Sequence, residues 1–230
     1  MEYNDTVTII TGKLIEICID YLIHSYTKIK HKIISTWKDE DSSLLEQLSS
    51  NGFIIVLNDY PEYKNTTNYQ ITCIRAGLLK AQELGFKYAV RSRTDIFPNI
   101  QLKFIHITRH LYNEKITVIG GIIGEYPNDD SFLDLIISGH INEMLKLYPI
   151  LQLPNDSRNP EQFLLETYFN TSKIKIDILN TKMNSCINLC KENKIEFTWY
   201  RTQRYFATGL SFPYMKLIKE YCMAPFVCEF

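Results

Sequence analysis

Residues 68–96, NYQITCIRAGLLKAQELGFKYAVRSRTDI, decide the fold. The first part, 68–85, reads as the clearest helix in the chain, with Asn68 as its cap and Gly85 as its end. Tyr88, Ala89 and Val90 then begin a strand that runs at once into Arg91, Ser92, Arg93, Thr94 and Asp95. A buried charge without a partner costs roughly several kcal/mol, so this strand end must find partners in the protein or in a ligand. Arg91 and Arg93 are two apart and share a face of a regular strand. Either could clamp a phosphate bidentately, and Asp95 offers oxygen to a divalent cation such as Mg²⁺ or Mn²⁺. The plainer alternative is an Arg–Asp pair that ties the strand end down.

Upstream, TVTII (6–10), HKIIST (31–36) and FIIVL (53–57) read as strands, separated by helical patterns at 14–26 and 39–52. Strand and helix therefore alternate up to residue 90. That order predicts an α/β fold with a mostly parallel sheet and helices on both faces. The second half is less regular. Strands are expected at 116–124, 132–139 and 195–200, and helices at 141–148, 159–169 and 181–194. The helix at 159–169 opens with Asn159, Pro160 and Gln162, a capping box.

In a parallel α/β sheet, ligands bind beyond the carboxyl ends of the strands. There the chain places TGK, STWKDED, NDYPEYKN and RSRTD, so Lys13, Thr36, Trp37, Asp59, Arg91, Arg93 and Asp95 converge on one edge. Arg75 lies mid-helix among apolar residues, either facing that edge or snorkelling to water.

The 230 residues suit one domain with a sizeable core, at 45% hydrophobic and 22% charged. A net charge of −1 gives no non-specific hold on nucleic acid. The six cysteines form no C-x-x-C pair and read as small buried hydrophobes in a reducing compartment. No signal peptide and no membrane-length apolar run is evident, which implies a cytoplasmic protein. The abundance of Ile, Lys, Asn and Tyr suggests an AT-rich genome, bacterial or viral.

The succession TIITGKLI, IISTWKDED, VLNDYP, the stretch quoted above, and PEQF resembles the WavE-type lipopolysaccharide synthesis family, whose members look like GT-A-fold glycosyltransferases. The resemblance covers residues 6–97 well and 120–170 loosely. It implies a single GT-A-like, Rossmann-like domain over 1–230, with a nucleotide-binding half of about 1–100 and an acceptor half of about 101–230. It implies a nucleotide-sugar donor (a UDP, GDP or TDP sugar), a saccharide acceptor, and Mn²⁺ or Mg²⁺. Arg93-Thr94-Asp95 takes the place of the acidic D-x-D motif, which leaves Asp95 as the metal ligand. Thr11, Gly12 and Lys13 would lie by the base and ribose, with Thr36 and Asp59 similarly placed and Arg75 facing the donor. Glu161 matches the catalytic base of inverting members, and Asp134 competes for that role. A helix N-terminus favours the ionised form that a base needs. The rival expectations are a donor-binding module without catalysis and an interaction protein that keeps only the fold.

Overall fold

Six consecutive buried residues, Thr6–Thr11, form the central strand β1. Their β-branched side chains suit a sheet buried on both faces. The computed structural model describes residues 4–98, 116–119, 136–150, 160, 163, 164, 167, 168, 187–189 and 197–199. Within them β1 pairs in parallel with β2 (Lys32–Trp37) on one side and β4 (Tyr88–Arg93) on the other, and β3 (Ile54–Asn58) lies outside β2, also parallel. β5 (Ile96–Pro98) leaves the main sheet and pairs antiparallel with β9 (Phe197–Trp199). β6 (Ile116–Ile119), β7 (Ile136–His140) and β8 (Ile187–Leu189) complete a seven-stranded sheet of order β3-β2-β1-β4-β7-β6-β8. β7 runs antiparallel to both its neighbours, while β6 and β8 are parallel. This is the expected α/β, Rossmann-like sheet.

Helices cover both faces. After a turn of 3-10 helix at Glu16–Cys18 come α1 (Ile19–Ser25), α2 (Ser42–Ser50), α3 (Thr66–Glu83) and α4 (Ile141–Leu147). Ile10, Ile34, Val90 and Ile136 pack against Leu22 of α1 and Leu48 of α2. On the opposite face Val7, Ile9, Ile33, Ala89 and Ile137 pack against Ile71, Ile74 and Leu78 of α3 and Met144 and Leu147 of α4. Pro160, Phe163, Leu164, Thr167 and Tyr168 are helical, as the capping box at 159 implies. Phe163, Leu164 and Tyr168 join the α3-side core.

Three local expectations change. α3 begins earlier than expected: its cap is Asn65, whose side chain accepts the Asn68 N–H at 2.8 Å. Asn68 is itself buried, and its amide donates to the Tyr63 carbonyl at 2.8 Å. Residues 14–26 are not one helix, because a 3-10 turn closed by Cys18 N–H on the Ile15 carbonyl precedes α1. The helix expected at 181–194 contains instead the short strand β8, whose Ile187 aligns with Ile116 of β6. Sheet pairing decides the conformation of so short an apolar run.

α3 seats closely on β1 through Gly77. A Cβ there would lie 2.5 Å from Ile9 Cγ2 and 3.4 Å from Ser35 Cβ. The clashing methyl sits one bond from the Ile9 Cβ, so it cannot swing away freely. Gly77→Ala is therefore expected to destabilise the protein by up to about 2 kcal/mol in urea unfolding, because about 1–3 kcal/mol of overpacking opposes about 1 kcal/mol of gained helix propensity.

Candidate active site

The carboxyl ends of β1, β2 and β4 open onto a cleft of about 660 Å³ on the α3 side of the sheet. Its floor is Thr11, Gly12, Lys13 and Leu14 after β1, with Arg91, Arg93, Thr94 and Asp95 from the end of β4. One wall is the first half of α3, where Thr66, Tyr69, Gln70 and Cys73 recur at helical steps. Trp37, Tyr60 and Pro160 line the remainder. Register explains the floor: Ile9 stands opposite Arg91 and Thr11 opposite Arg93, so both arginines project to the α3 face.

Hydrogen bonds knit the floor together. Arg91 is 2% exposed, and its Nε donates to Thr11 Oγ1 at 3.2 Å. Thr11 Oγ1 donates in turn to the Ser92 carbonyl at 3.2 Å. Thr94 N–H donates to the Thr11 carbonyl at 3.1 Å and Thr94 Oγ1 to the Lys13 carbonyl at 2.8 Å. Gly12 takes φ +126°, a value that side-chain-bearing residues rarely adopt, and a Cβ there would meet Thr94 Oγ1 at 3.0 Å. Glu40 fastens the loop from outside: its Oε1 accepts from Leu14 N–H at 2.9 Å and from the Thr36 hydroxyl.

Asp95 is held by Arg93 in a fork, Nε to Oδ1 at 2.8 Å and Nη2 to Oδ2 at 3.1 Å. The side chains are 17% and 9% exposed for Arg93 and Asp95, and both line the cleft. The two sequence alternatives thus coincide, since an Arg–Asp pair forms and it forms on the wall of a cavity. A divalent ion needs about six oxygen ligands, one or two of them carboxylate. Among the described residues Asp95 is the one carboxylate lining the cleft, both its oxygens engage the guanidinium, and no group of three metal-ligating side chains occurs. Among the described lining residues, no carboxylate outside the Arg93 fork is offered to the Mn²⁺ or Mg²⁺ expected at Asp95.

Of the expected donor-binding residues, Thr11, Gly12, Lys13, Arg93 and Asp95 come together in the cleft. Thr36, Asp59 and Arg75 are not among its lining residues. Thr36 is buried behind it on Glu40. Asp59 pairs with Lys38 at 2.7 Å on the surface, the side chains 79% and 58% exposed. Arg75 Nη1 donates to the carbonyls of Leu145 and Tyr148, at 3.2 and 2.7 Å. It closes the end of α4, where helix carbonyls lack internal partners. Glu161 and Asp134 lie outside the described residues, as do the cysteines at 186, 190, 222 and 228.

Tyr69, Gln70 and Cys73 were not anticipated, although their spacing on the α3 face toward Arg91 carries the signal. Trp37 stacks on Tyr60, with ring centroids 4.5 Å apart and planes 16° apart, and Tyr69 meets Trp37 edge-on at 5.4 Å. Gln70 Oε1 is buried with no hydrogen-bond partner among the described residues. Burial pushes the Cys73 thiol up to about 12, against the opposing pull of the Arg91 charge. The reactive thiolate is then a very minor form near pH 8. The Cys73 peptide of folded protein is thus expected to resist iodoacetamide near that pH and to react fully once unfolded, as peptide mass spectrometry would show.

No protein-family model and no curated protein matches the chain. Solved structures do share its fold. A Bacillus anthracis protein named as a glucose-1-phosphate thymidylyltransferase, solved with sucrose, superposes with a TM-score of 0.53 at 10% identity, over 90% of this chain and 96% of its own. A cytidylyltransferase from Leptospira borgpetersenii serovar Hardjo-bovis superposes at 0.52 and 13% identity, over 96% of this chain and 98% of its own. The fold is one used by nucleotidyltransferases. Among the described residues no helix is long and apolar enough to cross a membrane.

Proposed function

We propose that this chain is a nucleotide-sugar transferase, moving a sugar from a nucleoside-diphosphate donor to a hydroxyl of a saccharide. The observation that carries this reading is the cleft itself. It lies at the carboxyl ends of parallel strands, and Lys13, Arg91 and Arg93 outnumber Asp95 among its described lining residues. That balance suits a doubly charged diphosphate. The aromatic wall of Trp37, Tyr60 and Tyr69 suits a base or sugar ring. Gln70 Oε1 offers an acceptor for a ligand N–H or O–H. The shared fold supports the same class.

In the reaction the acceptor hydroxyl oxygen bonds to the anomeric carbon. The bond from that carbon to the diphosphate breaks, and its electron pair leaves with the diphosphate. Cationic side chains on the cleft floor offset the charge that develops there. The hydroxyl proton passes to a carboxylate, Glu161 or Asp134. Glu161 follows Pro160, which lines the cleft.

The test is turnover of UDP-, GDP- and TDP-sugars by purified protein, with saccharide acceptors present. Release of the nucleoside diphosphate from one donor is expected. Loss of the base lowers a rate by about 10²–10⁴, so Glu161→Gln or Asp134→Asn is expected to abolish release while leaving donor affinity near wild type. A panel in which no donor binds and none turns over would overturn the reading. Binding without turnover would favour a donor-binding module.

A further inference from the structure

We propose that the donor's diphosphate is neutralised by this chain's own cations, with Arg93 as the principal contact and no divalent metal between it and Asp95. The inference rests on the nucleotide-sugar reading of the cleft and goes beyond it.

Three observations converge. The first is the Arg93–Asp95 fork, with its contacts of 2.8 and 3.1 Å. A metal ligated by Asp95 would have to displace a guanidinium already seated on both carboxylate oxygens. The second is geometry. The fork consumes two of the five guanidinium N–H groups and holds the plane of the group fixed. Arg93 lines the cleft in that orientation, a charge immobilised before any ligand arrives. The third is what surrounds it. Arg91 lies two residues back on the same strand face, buried and held by Thr11. Lys13, exposed on the loop after β1, lines the same cleft.

Asp95 on this account is a positioning residue. It orients Arg93 and meets no substrate atom. A guanidinium so placed supplies what a magnesium ion supplies elsewhere, a fixed positive charge on the leaving diphosphate. It adds directional N–H donors matched to phosphate oxygens.

Calorimetric titration of the full chain with UDP, GDP and TDP tests this, each in excess EDTA and again in excess MnCl₂. For any nucleotide that binds, the affinity is expected to agree within about twofold between the two buffers. Arg93→Lys, which keeps the charge and loses the fork, is expected to weaken binding by about tenfold or more. Thermal melts of the same samples identify a variant that has not folded. Arg93→Ala with Asp95→Ala then serves in its place, with the same loss of binding expected. Binding that appears only with MnCl₂, or that falls tenfold or more in EDTA, overturns the proposal and leaves the nucleotide-sugar reading standing. Absence of binding in both buffers overturns that reading, and the proposal with it.

Discussion

Arg93→Ala is expected to destabilise the protein by about 3–5 kcal/mol, because it leaves the Asp95 carboxylate largely buried without its fork. For a chain of this size that corresponds to a fall of very roughly 10 °C in Tm. Removing both partners, Arg93→Ala with Asp95→Ala, is expected to restore most of the loss. A double deletion no longer strands a charge, and a buried pair is worth little net stability. The two variants are expected to part company on function: stability returns in the double variant and nucleotide binding does not. Differential scanning calorimetry beside nucleotide titration checks both statements. A double variant that binds nucleoside diphosphate like wild type would assign the pair a purely structural role.

Trp37→Ala is the second large effect. Trp37 ends β2, is 5% exposed, and forms a three-ring cluster with a stacked Tyr60 and an edge-on Tyr69, which also meet each other at 5.9 Å. Truncating a buried tryptophan costs about 3–5 kcal/mol, transfer and cavity terms together. The same change removes the apolar wall of the cleft. Trp37→Phe keeps a ring against Tyr60 and is expected to cost a smaller share, about 1–2 kcal/mol. Urea unfolding gives the stability and a melt with added nucleotide gives the binding. A loss below about 1 kcal/mol in Trp37→Ala would mean that the aromatic cluster is not packed as described.

Much of the fold was legible because local signals and tertiary packing agree over residues 6–93. Strands such as TVTII and HKIIST are β-branched, and α2 and α3 each carry a side-chain cap, Asp41 and Asn65, and a glycine after their last turn, Gly52 and Gly85. Where two signals competed, the sequence misled. NTTN offers two asparagines as caps for α3, and burial of Asn68 beneath Tyr63 is a tertiary fact that chooses Asn65. INL at 187–189 has no strand pattern of its own and becomes one because β6 offers an edge.

The site was half legible for the same reason. Loops after parallel strands converge by topology, so Lys13, Trp37, Arg91, Arg93 and Asp95 were accessible from strand order, while Thr11 and Gly12 came from the family resemblance. Partners supplied by distant segments were not. Arg75 answers carbonyls of α4 some seventy residues away, the separation being 70 and 73 residues in its two bonds. Asp59 is captured by Lys38 on the surface. The pairing of Arg93 with Asp95 was visible as an alternative, and its place on the cleft wall required the fold.

A crystal of the protein soaked with a nucleoside-diphosphate sugar and MnCl₂, measured at the manganese absorption edge, tests the central claim most directly. The account predicts diphosphate oxygens about 3 Å from the Arg93 guanidinium, the fork to Asp95 intact, and no anomalous peak at the Asp95 carboxylate. A manganese peak ligated by Asp95 with Arg93 turned away, or a nucleotide bound outside this cleft, would contradict it.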